Sequence, residues 1–225
     1  AGFLVIDKPE GISSFGVVKK VREITGVKKV GHAGTLDPFA SGVLILALGK
    51  AYTTRIDTIH KYTKNYTALM VLGMETDTLD STGKIIRSVD NVPDVSDAEL
   101  ARLSEQFSGK ISQLPPAFSA KKVNGRRAYQ LARQGIQPVL SEKEVTISQL
   151  SMQMVQNSGL PMIKLSLTCS TGTYVRALVR DITKEMGTVG YTKSLVRTAI
   201  GPYVLDDAVG LTSLNKGVIQ ARLIQ

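Results

Sequence analysis

The sequence has few of the residues that bind metals or form disulfides. It contains one cysteine, Cys169, and two histidines, His32 and His60, and it has no tryptophan. A single cysteine excludes an internal disulfide and is typical of a buried residue in a reducing compartment. The HExxH, CxxC and paired-histidine spacings are absent, which argues against a zinc enzyme. The sequence also lacks GxxxxGK[ST] and GxGxxG, so the common nucleotide-binding loops are missing.

Long apolar stretches are absent as well. No segment approaches the ~20 consecutive apolar residues that span a bilayer. The apolar run at residues 2–6 is too short for a signal peptide and lacks a basic lead. These absences predict a cytoplasmic protein that does not contact a membrane.

The charge balance favours a polyanionic partner. The 225 residues include 28 Lys and Arg against 19 Asp and Glu, a formal net charge of +9. A surplus of this size promotes binding to nucleic acid through phosphate contacts and counterion release. Charge alone leaves open a basic protein whose charge serves only solubility.

Periodicity and turn residues predict helices and strands without a regular βαβ order, which favours the α+β class. Predicted strands cover residues 3–6, 43–48, 66–72, 162–169 and 195–200. Predicted helices run from a cap at Ser13 or Ser14 to Gly26, from a capping box at Ser96 to Gly109, over residues 128–133 and over residues 173–186. Between them lie a glycine-rich loop at residues 31–42, a turn at residues 76–83 and a polar, basic excursion at residues 112–142.

Two segments carry carboxylates in a pattern that suggests chemistry. Asp77 and Asp80 could form a metal or acid–base pair, but the Thr, Ser and Gly residues around them favour a capped turn. Residues 31–38 (GHAGTLDP) place His32 and Asp37 on a tight loop whose glycines allow unusual backbone conformations. From the residues alone, a structural turn with an Asx-type hydrogen bond remains open for this loop.

The loop at residues 31–38, continued by residues 40–44 (ASGVL), resembles the catalytic signature of the TruB family of pseudouridine synthases. Further segments are similar to the other motifs of that family, in the same order along residues 2–202. They are residues 2–9 (GFLVIDKP) with Gly11, 49–51 (GKA), 64–66 (KNY), Gly73 with 76–78 (TDT) and Asp80, 115–125 (PPAFSAKKVNG), 172–176 (GTYVR), and Leu195 with 197–198 (RT).

The resemblance implies a pseudouridine synthase fold, with a central, mixed and mostly antiparallel sheet flanked by helices. It implies one catalytic domain over residues 1–225, with an RNA-contacting insertion at residues 112–142. Many family members end in a small RNA-binding domain of the PUA type. Residues 203–225 are too few for such a domain, so we expect a short family member or a removed tail.

The implied activity is the conversion of uridine to pseudouridine in the T-loop of transfer RNA, at position 55. The base is flipped out, the glycosidic N–C bond breaks, the base rotates, and a C–C bond forms, with no cofactor and no metal. Asp37 is implied as the catalytic carboxylate, which acts as a nucleophile or takes a proton from the ribose. Arg176 is implied as the cation that aims Asp37, and Tyr66 as the ring that stacks on the target base and could move a proton.

The remaining implied site residues contact RNA or line the pocket. His32 would stack where the base has left, and Tyr174 and Leu195 would wall the pocket, although core packing is the commoner role for such residues. Basic side chains implied to contact RNA are Lys64, Lys121, Lys122, Arg126 and Arg127. Departures from the family pattern are Phe118 for a frequent Tyr, Val196 for a frequent Arg, and Tyr191–Thr192 for a frequent His-containing pair.

Three interpretations follow from the resemblance. The first is a stand-alone, monomeric transfer RNA enzyme. The second is a dyskerin-like synthase directed by a guide RNA and protein partners, which the short chain disfavours. The third is an RNA-binding or RNA-folding protein in which chemistry is incidental. The presence of Asp37, Tyr66 and Arg176 together argues against binding alone, but it leaves a folding role beside catalysis open.

Overall fold

A computed structural model describes residues 1–123, 125–155 and 159–225 of the chain. Asn124, which belongs to the basic motif at residues 115–125, lies outside the described residues. The chain forms two compact units. Unit 1 comprises residues 1–67 and 195–225, and unit 2 comprises residues 68–194.

Strands and helices alternate irregularly along the chain. The strands of two or more residues are β1 (Gly2–Lys8), β2 (Val30–Ala33), β3 (Ser41–Leu48), β4 (Lys64–Leu72), β5 (Met74–Thr76), β6 (Ile85–Ser88), β7 (Gly109–Gln113), β8 (Lys122–Val123), β9 (Arg126–Arg127), β10 (Lys143–Val155), β11 (Met162–Cys169), β12 (Gly190–Ile200), β13 (Tyr203–Val204) and β14 (Val209–Gly210). The α-helices are α1 (Ser14–Thr25), α2 (Lys50–Thr53), α3 (Ile56–His60), α4 (Asp97–Gln106), α5 (Ala128–Ala132), α6 (Val175–Glu185) and α7 (Lys216–Ala221).

Unit 1 is built around strands β1 and β3, which pair antiparallel over their whole length. Both faces of this pair are covered. Leu4, Ile6, Leu44 and Leu46 pack against α1 residues on one face, and a second set that includes Ile45 packs on the other. Because side chains alternate between faces, a strand that is buried on both sides reads as a continuous apolar run. This explains why residues 43–48 are apolar without interruption.

Helix α1 confirms both predicted caps. The Ser13 side chain accepts a hydrogen bond from the Gly16 backbone N–H, and Gly26 ends the helix in the left-handed conformation with φ at 72°. A residue other than glycine resists that conformation, so the helix ends here. The capped helix therefore holds its buried N-terminal residue, Ser14, in a fixed position.

The prediction of a loop over residues 31–42 is wrong at its start. Val30–Ala33 forms strand β2, which pairs antiparallel with β3 so that His32 lies opposite Leu46. The glycines in this segment lower its intrinsic strand propensity, and pairing with an already buried strand overrides that preference. The loop itself is confined to residues 34–40.

Unit 2 contains the antiparallel pairs β10–β11 and β10–β7. Strand β11 confirms the predicted alternation, with Ile163, Leu165, Leu167 and Cys169 buried. Strand β10 has no counterpart among the predicted elements. Its apolar residues alternate with polar ones on either side of an irregularity between Ile147 and Gln149, so the sequence carried a strand pattern that the prediction missed.

The predicted helices of unit 2 are present. Helix α4 is capped by Ser96, whose side chain accepts from the Glu99 N–H. Helix α6 begins at Val175, two residues later than predicted. The basic excursion contains α5 and also the short antiparallel hairpin β8–β9, which the sequence did not predict.

The α+β class with a mixed, mostly antiparallel sheet is confirmed, because unit 1 also includes parallel pairs of β12 with β3 and of β1 with β14. The organisation as one catalytic domain stays a prediction. Within the described residues, no helix has the length and apolarity needed to cross a membrane.

Candidate active site

The loop that carries Asp37 is fixed in unit 1 by the side chain of Ser14. The Ser14 hydroxyl oxygen accepts a hydrogen bond from the Leu36 N–H at 2.9 Å and donates to the Leu36 carbonyl at 3.0 Å. Both groups are buried, and the Leu36 side chain is also buried. The peptide groups just before Asp37 therefore have a defined orientation, and the half-buried carboxylate side chain projects from a rigid loop.

The other side of Asp37 is fixed by Lys8. Its ammonium group donates to the carbonyls of Pro9 and Ile12, each at 2.8 Å, and to that of Pro38 at 3.4 Å. Burial lowers the pKa of Lys8 to about 8, against the opposing effect of the Asp37 carboxylate, which raises it. The three carbonyls and the nearby carboxylate favour the charged form, so we expect the ammonium to hold its proton at neutral pH.

Arg197 fixes the beginning of the same loop. The side chain is 1% exposed, and its Nε donates to the Val43 carbonyl at 2.7 Å. Nη2 donates to the Gly34 carbonyl at 3.0 Å, and Nη1 lies 3.5 Å from the Tyr66 hydroxyl oxygen. One buried cation thus contacts both the hydroxyl of Tyr66 and the loop that carries Asp37. Both Asp37 and Tyr66 are predicted to be catalytic.

Two other predicted residues also lie in unit 1, and His32 is close enough to Arg197 to feel its charge. His32 is half-buried on β2, and its Nδ1 has no hydrogen-bond partner among the described residues. Burial lowers the pKa of His32, and the charges of Arg197 and His60 lower it further, so the imidazole is neutral at pH 7. Lys64 is buried and donates to the carbonyls of His60 at 2.7 Å and Tyr62 at 2.5 Å.

Arg176 is a buried side chain of unit 2 that is held by several polar contacts. It is 3% exposed and lies in the first turn of α6, as predicted. Nη1 donates to the Thr78 carbonyl at 2.6 Å and lies 3.5 Å from an Asp80 carboxylate oxygen, while Nη2 donates to the Phe118 carbonyl at 2.9 Å. The planar guanidinium is therefore held at several of its edges, which fixes its direction.

Asp80 lies in the predicted turn, and its hydrogen bonds confirm that interpretation. Its Oδ1 accepts from the Thr78 hydroxyl at 2.8 Å and from the Thr82 N–H and hydroxyl at 3.0 and 2.6 Å. Asp77 accepts from the Lys84 N–H. In the parts of the chain that the structure describes, no group of three or more His, Cys, Asp or Glu side chains could hold a metal ion.

The other predicted site residues lie as follows. Tyr174 precedes α6, and its N–H donates to the buried Gln113 side chain at 2.8 Å. Leu195 is buried on β12 in unit 1. In the insertion, Lys121 donates to the Ser141 carbonyl at 2.9 Å and Arg127 to the Ala120 carbonyl at 2.6 Å.

Three basic side chains project from the hairpin β8–β9 and are exposed: Lys122, Arg126 and Arg127. The Arg126 guanidinium donates to the Gln134 side chain at 2.7 Å. The antiparallel pairing of β8 with β9 gives this basic part of the insertion a defined backbone conformation. Contact with RNA stays a prediction for these residues and for Lys64.

The comparison with family models gives a match over residues 22–175 to the N-terminal domain of the TruB family pseudouridylate synthases. The matched segment includes both Asp37 and Tyr66 and ends next to Arg176. This chain belongs to the TruB family. Its members form pseudouridine, so the chain is an isomerase.

Relatives of this TruB-family chain include two tRNA pseudouridine synthases B. The protein from Geotalea uraniireducens is 44% identical over 93% of this chain and 66% of its own length. The protein from Chlamydia abortus is 38% identical over 92% of this chain and 86% of its own length. The chain thus spans between about two thirds and most of the length of these relatives.

Two solved structures have a similar fold. A Cbf5–Nop10–Gar1 complex matches with a TM-score of 0.70 and 27% identity, over 95% of this chain and 53% of that one. An H/ACA RNP bound to a substrate RNA containing 2′-deoxyuridine matches with a TM-score of 0.68 and 24% identity, over 95% of this chain and 52% of that one.

The sequence did not reveal which residues of the TruB-family motifs support the loop and Arg176. The motifs contain Lys8 and Arg197 but indicate no role for either, the pattern around Ser14 indicates a helix cap, and the pattern around Asp80 favours a capped turn over a metal or acid–base pair. All four are buried polar side chains. Burial of Lys and Arg is rare and demands partners, but it depends on tertiary packing, so a single sequence carries no direct signal for it.

The contacts of Ser14 predict a large effect of Ser14→Ala on turnover. The substitution leaves the buried N–H and carbonyl of Leu36 without their partner, which costs about 1–3 kcal/mol of unfolding free energy. It also loosens the loop beside Asp37, so we expect kcat for pseudouridine formation to fall by about 10-fold or more, because small misplacements of reacting groups cost this much. Chemical denaturation and steady-state kinetics measure the two effects.

The matched control is Ser13→Ala. Ser13 caps the same helix through the Gly16 N–H, and losing such a cap costs about 1 kcal/mol, but Ser13 makes no side-chain contact with the loop. This variant should lose stability with an unchanged kcat. Equal losses of kcat in the two variants would show that helix stability, rather than the loop contact, controls turnover.

Proposed function

We propose that this chain isomerises the uridine at position 55, in the T-loop of transfer RNA, to pseudouridine. The observation that carries the proposal is the Asp37 loop, which Ser14, Lys8 and Arg197 hold at three points within unit 1. A carboxylate that must attack or deprotonate a ribose needs a fixed direction, and a loop pinned in this way supplies it. Relatives at 38–44% identity that are tRNA pseudouridine synthases B support the choice of substrate.

Asp37 is the proposed catalytic residue. The glycosidic N–C bond of the uridine breaks, the base rotates, and a C–C bond forms between the ribose and the base. The base carbon loses a proton and the base nitrogen gains one, so the reaction neither adds nor removes atoms or electrons. The proposed enzyme therefore needs no redox partner and works without a cofactor or a metal.

Arg176 is the proposed partner of the Asp37 carboxylate. Its guanidinium has a fixed orientation in unit 2, because two backbone carbonyls and Asp80 hold it. The planar fork of a guanidinium fits the two oxygens of a carboxylate, and a guanidinium whose orientation is already fixed loses little side-chain entropy in such a pair. A guanidinium paired with the Asp37 carboxylate would orient it toward the ribose.

Tyr66 and His32 are proposed to act on the RNA. The half-buried Tyr66 ring would stack on the flipped base, and its hydroxyl would relay the proton released from the base carbon by passing on its own proton as it accepts the new one. His32, which is neutral at pH 7, would stack in the place that the base has left. Tyr174 and Leu195 would wall the pocket, and Lys64 would contact the RNA.

The proposed protein acts as a monomer in the cytoplasm on the T-arm of transfer RNA. The proposed activity can be tested with an unmodified transfer RNA transcript and with a transcript that carries cytidine at position 55. We expect one pseudouridine in the T-loop of the first transcript and none in the second, mapped by chemical modification and reverse transcription. Binding without modification of the first transcript would refute the proposal and favour a guide-directed or binding role.

The insertion at residues 112–142 is proposed to grip the RNA backbone, and the exposed Arg126 and Arg127 provide the test. Replacing both by Gln should weaken transfer RNA binding by about 10-fold at low salt. The slope of log K against log salt concentration should become less steep by about 0.7–0.9 for each lost phosphate contact. Fluorescence anisotropy over a range of salt concentrations measures both quantities.

The control is the double substitution Arg102→Gln with Lys110→Gln. Both side chains are exposed in unit 2 and form surface ion pairs outside the insertion. The control lowers the net charge by the same amount. If the control weakens binding as much as the insertion variant does, overall charge rather than the insertion holds the RNA.

A further inference from the structure

Arg197 is a buried cation that takes no part in any chemical step of the proposed mechanism. Its side chain is among the largest fully buried ones in the described residues. The three groups that accept its hydrogen bonds are the Val43 carbonyl, the Gly34 carbonyl and the Tyr66 hydroxyl, all of them neutral. Burying a charge is costly unless it is well satisfied, so a guanidinium with neutral partners needs an explanation.

A second cation, Lys8, lies in the same region and adds to this cost, although the Asp37 carboxylate lies near Lys8 as well. Arg197 lies close enough to Lys8, His32 and His60 to lower the pKa of each. Four basic side chains thus share one region of unit 1. For stability alone, an apolar side chain of similar volume would serve as well at this position, since it would avoid the desolvation of the charge.

The backbone fixes where the guanidinium points. Strand β12 runs parallel to β3, with Arg197 paired with Gly42. A Cβ added to Gly42 would lie 2.3 Å from the Arg197 carbonyl oxygen, so the two backbones approach as closely as only glycine allows. From this position the side chain reaches the Gly34 carbonyl, where the loop of Asp37 begins, and the hydroxyl of Tyr66 on β4.

We propose that Arg197 is a positioning residue, which holds the Tyr66 hydroxyl and the Gly34 end of the Asp37 loop in one fixed arrangement. The inference rests on the proposed function, in which Tyr66 and Asp37 act on the same nucleotide. The Nη1–hydroxyl distance of 3.5 Å is long for the free protein. Catalytic hydrogen bonds are often long before the substrate binds, and we expect this one to shorten when a base stacks on the Tyr66 ring.

The geometry requires an arginine. Three acceptors lie around one planar group, and a guanidinium has five N–H groups in a rigid fork that can reach all of them. A lysine ammonium keeps the charge, but all of its N–H groups are on one nitrogen atom. It therefore cannot reach the Val43 carbonyl, the Gly34 carbonyl and the Tyr66 hydroxyl together. Arg197→Lys therefore changes the position of the hydrogen-bond donors and keeps the positive charge.

The test is a double-mutant cycle on pseudouridine formation, with Arg197→Lys, Tyr66→Phe and the combined variant. In the wild-type background, Arg197→Lys should lower kcat by about 10–100-fold and change KM by less than about 3-fold, as expected for a small misplacement of reacting groups. In the Tyr66→Phe background, the same change should lower kcat by a clearly smaller factor, because the hydroxyl is gone and only the effect through the Gly34 end of the Asp37 loop remains. Equal effects in both backgrounds, or a change confined to KM, would overturn the proposal.

Arg22→Lys is the matched control. Arg22 lies in the same unit, is half-buried, and donates to the Val30 carbonyl at 2.7 Å, without a contact to Tyr66 or Gly34. It should lose a comparable backbone hydrogen bond with an unchanged kcat. A fall in kcat as large as that of Arg197→Lys would show that any buried guanidinium matters equally, which also overturns the proposal.

A second measurement does not depend on the folding of any Arg197 variant or on activity. Protein labelled with [15N]arginine is compared with the labelled Tyr66→Phe variant by NMR. The contact predicts that the guanidinium signals of Arg197 shift while those of Arg22 do not. Unchanged Arg197 signals refute the contact. Absence of pseudouridine with the wild type refutes the proposed function instead and leaves this measurement valid.

Discussion

Asp37→Asn should abolish pseudouridine formation, with a fall of at least about 10³-fold in the single-turnover rate, as is common when a catalytic nucleophile is removed. The amide has the shape of the carboxylate but no charge and little nucleophilicity. The loop should keep its conformation, because its hydrogen bonds to Ser14 and Lys8 and the Ala40–Asp37 turn involve backbone groups. Single-turnover mapping on a transfer RNA transcript, with binding measured in parallel, checks this.

The matched control for Asp37 is Glu10→Gln. Glu10 is exposed and, like Asp37, raises the pKa of Lys8 through its charge. Removing it changes the electrostatics of Lys8 in the same direction, and we expect an unchanged rate. If Asp37→Asn retained more than about a tenth of the wild-type rate, the nucleophile or base would be another residue. If Glu10→Gln lowered the rate as much as Asp37→Asn does, the effect would arise from Lys8 and not from a nucleophilic carboxylate.

Arg176→Met should lose both stability and activity. It leaves the Asp80 carboxylate buried without its cation, and breaking one side of a buried ion pair costs about 3–5 kcal/mol. It also frees the carbonyls of Thr78 and Phe118 and removes the proposed partner of Asp37, so we expect the rate to fall by at least about 100-fold. Urea denaturation and single-turnover kinetics report the two losses.

The double variant Arg176→Met with Asp80→Asn separates these effects. The amide removes the uncompensated charge and keeps an oxygen for the Thr78 and Thr82 donors, so most of the stability should return. The rate should stay low, because no guanidinium remains. A rate that recovered together with stability would show that Arg176 supports the fold of unit 2 and does not act on the catalytic carboxylate.

Much of the secondary structure could be predicted where a local signal coincides with burial. The Ser13 cap and Gly26 stop fixed α1, and the alternation along β11 identified its buried face. The motif at residues 31–38 indicated the family, because its glycines, His32 and Asp37 recur in a set order. The prediction of Arg176 in the first turn of α6 also held.

Other elements could not be predicted because their stability comes from their neighbours. Strand β2 has only four residues, one of them a glycine, and it exists through its pairing with β3. Strand β10 differs, because it alternates polar and apolar residues on either side of an irregularity, and the prediction missed that pattern. The hairpin β8–β9 is only two residues long on each side, too short for its residues to carry a strand pattern.

The sequence by itself determined the family and the α+β class, because these follow from ordered motifs and local patterns. It also predicted Asp37, Tyr66 and Arg176 as the residues on which chemistry depends, and those roles stay a prediction. Only the tertiary structure decided how those residues are held. Ser14, Lys8 and Arg197 fix the Asp37 loop, and Asp80 fixes Arg176, through hydrogen bonds between segments up to 163 residues apart. Such partners are chosen by the need to satisfy polar groups that folding buries, and that need arises only once the chain has packed.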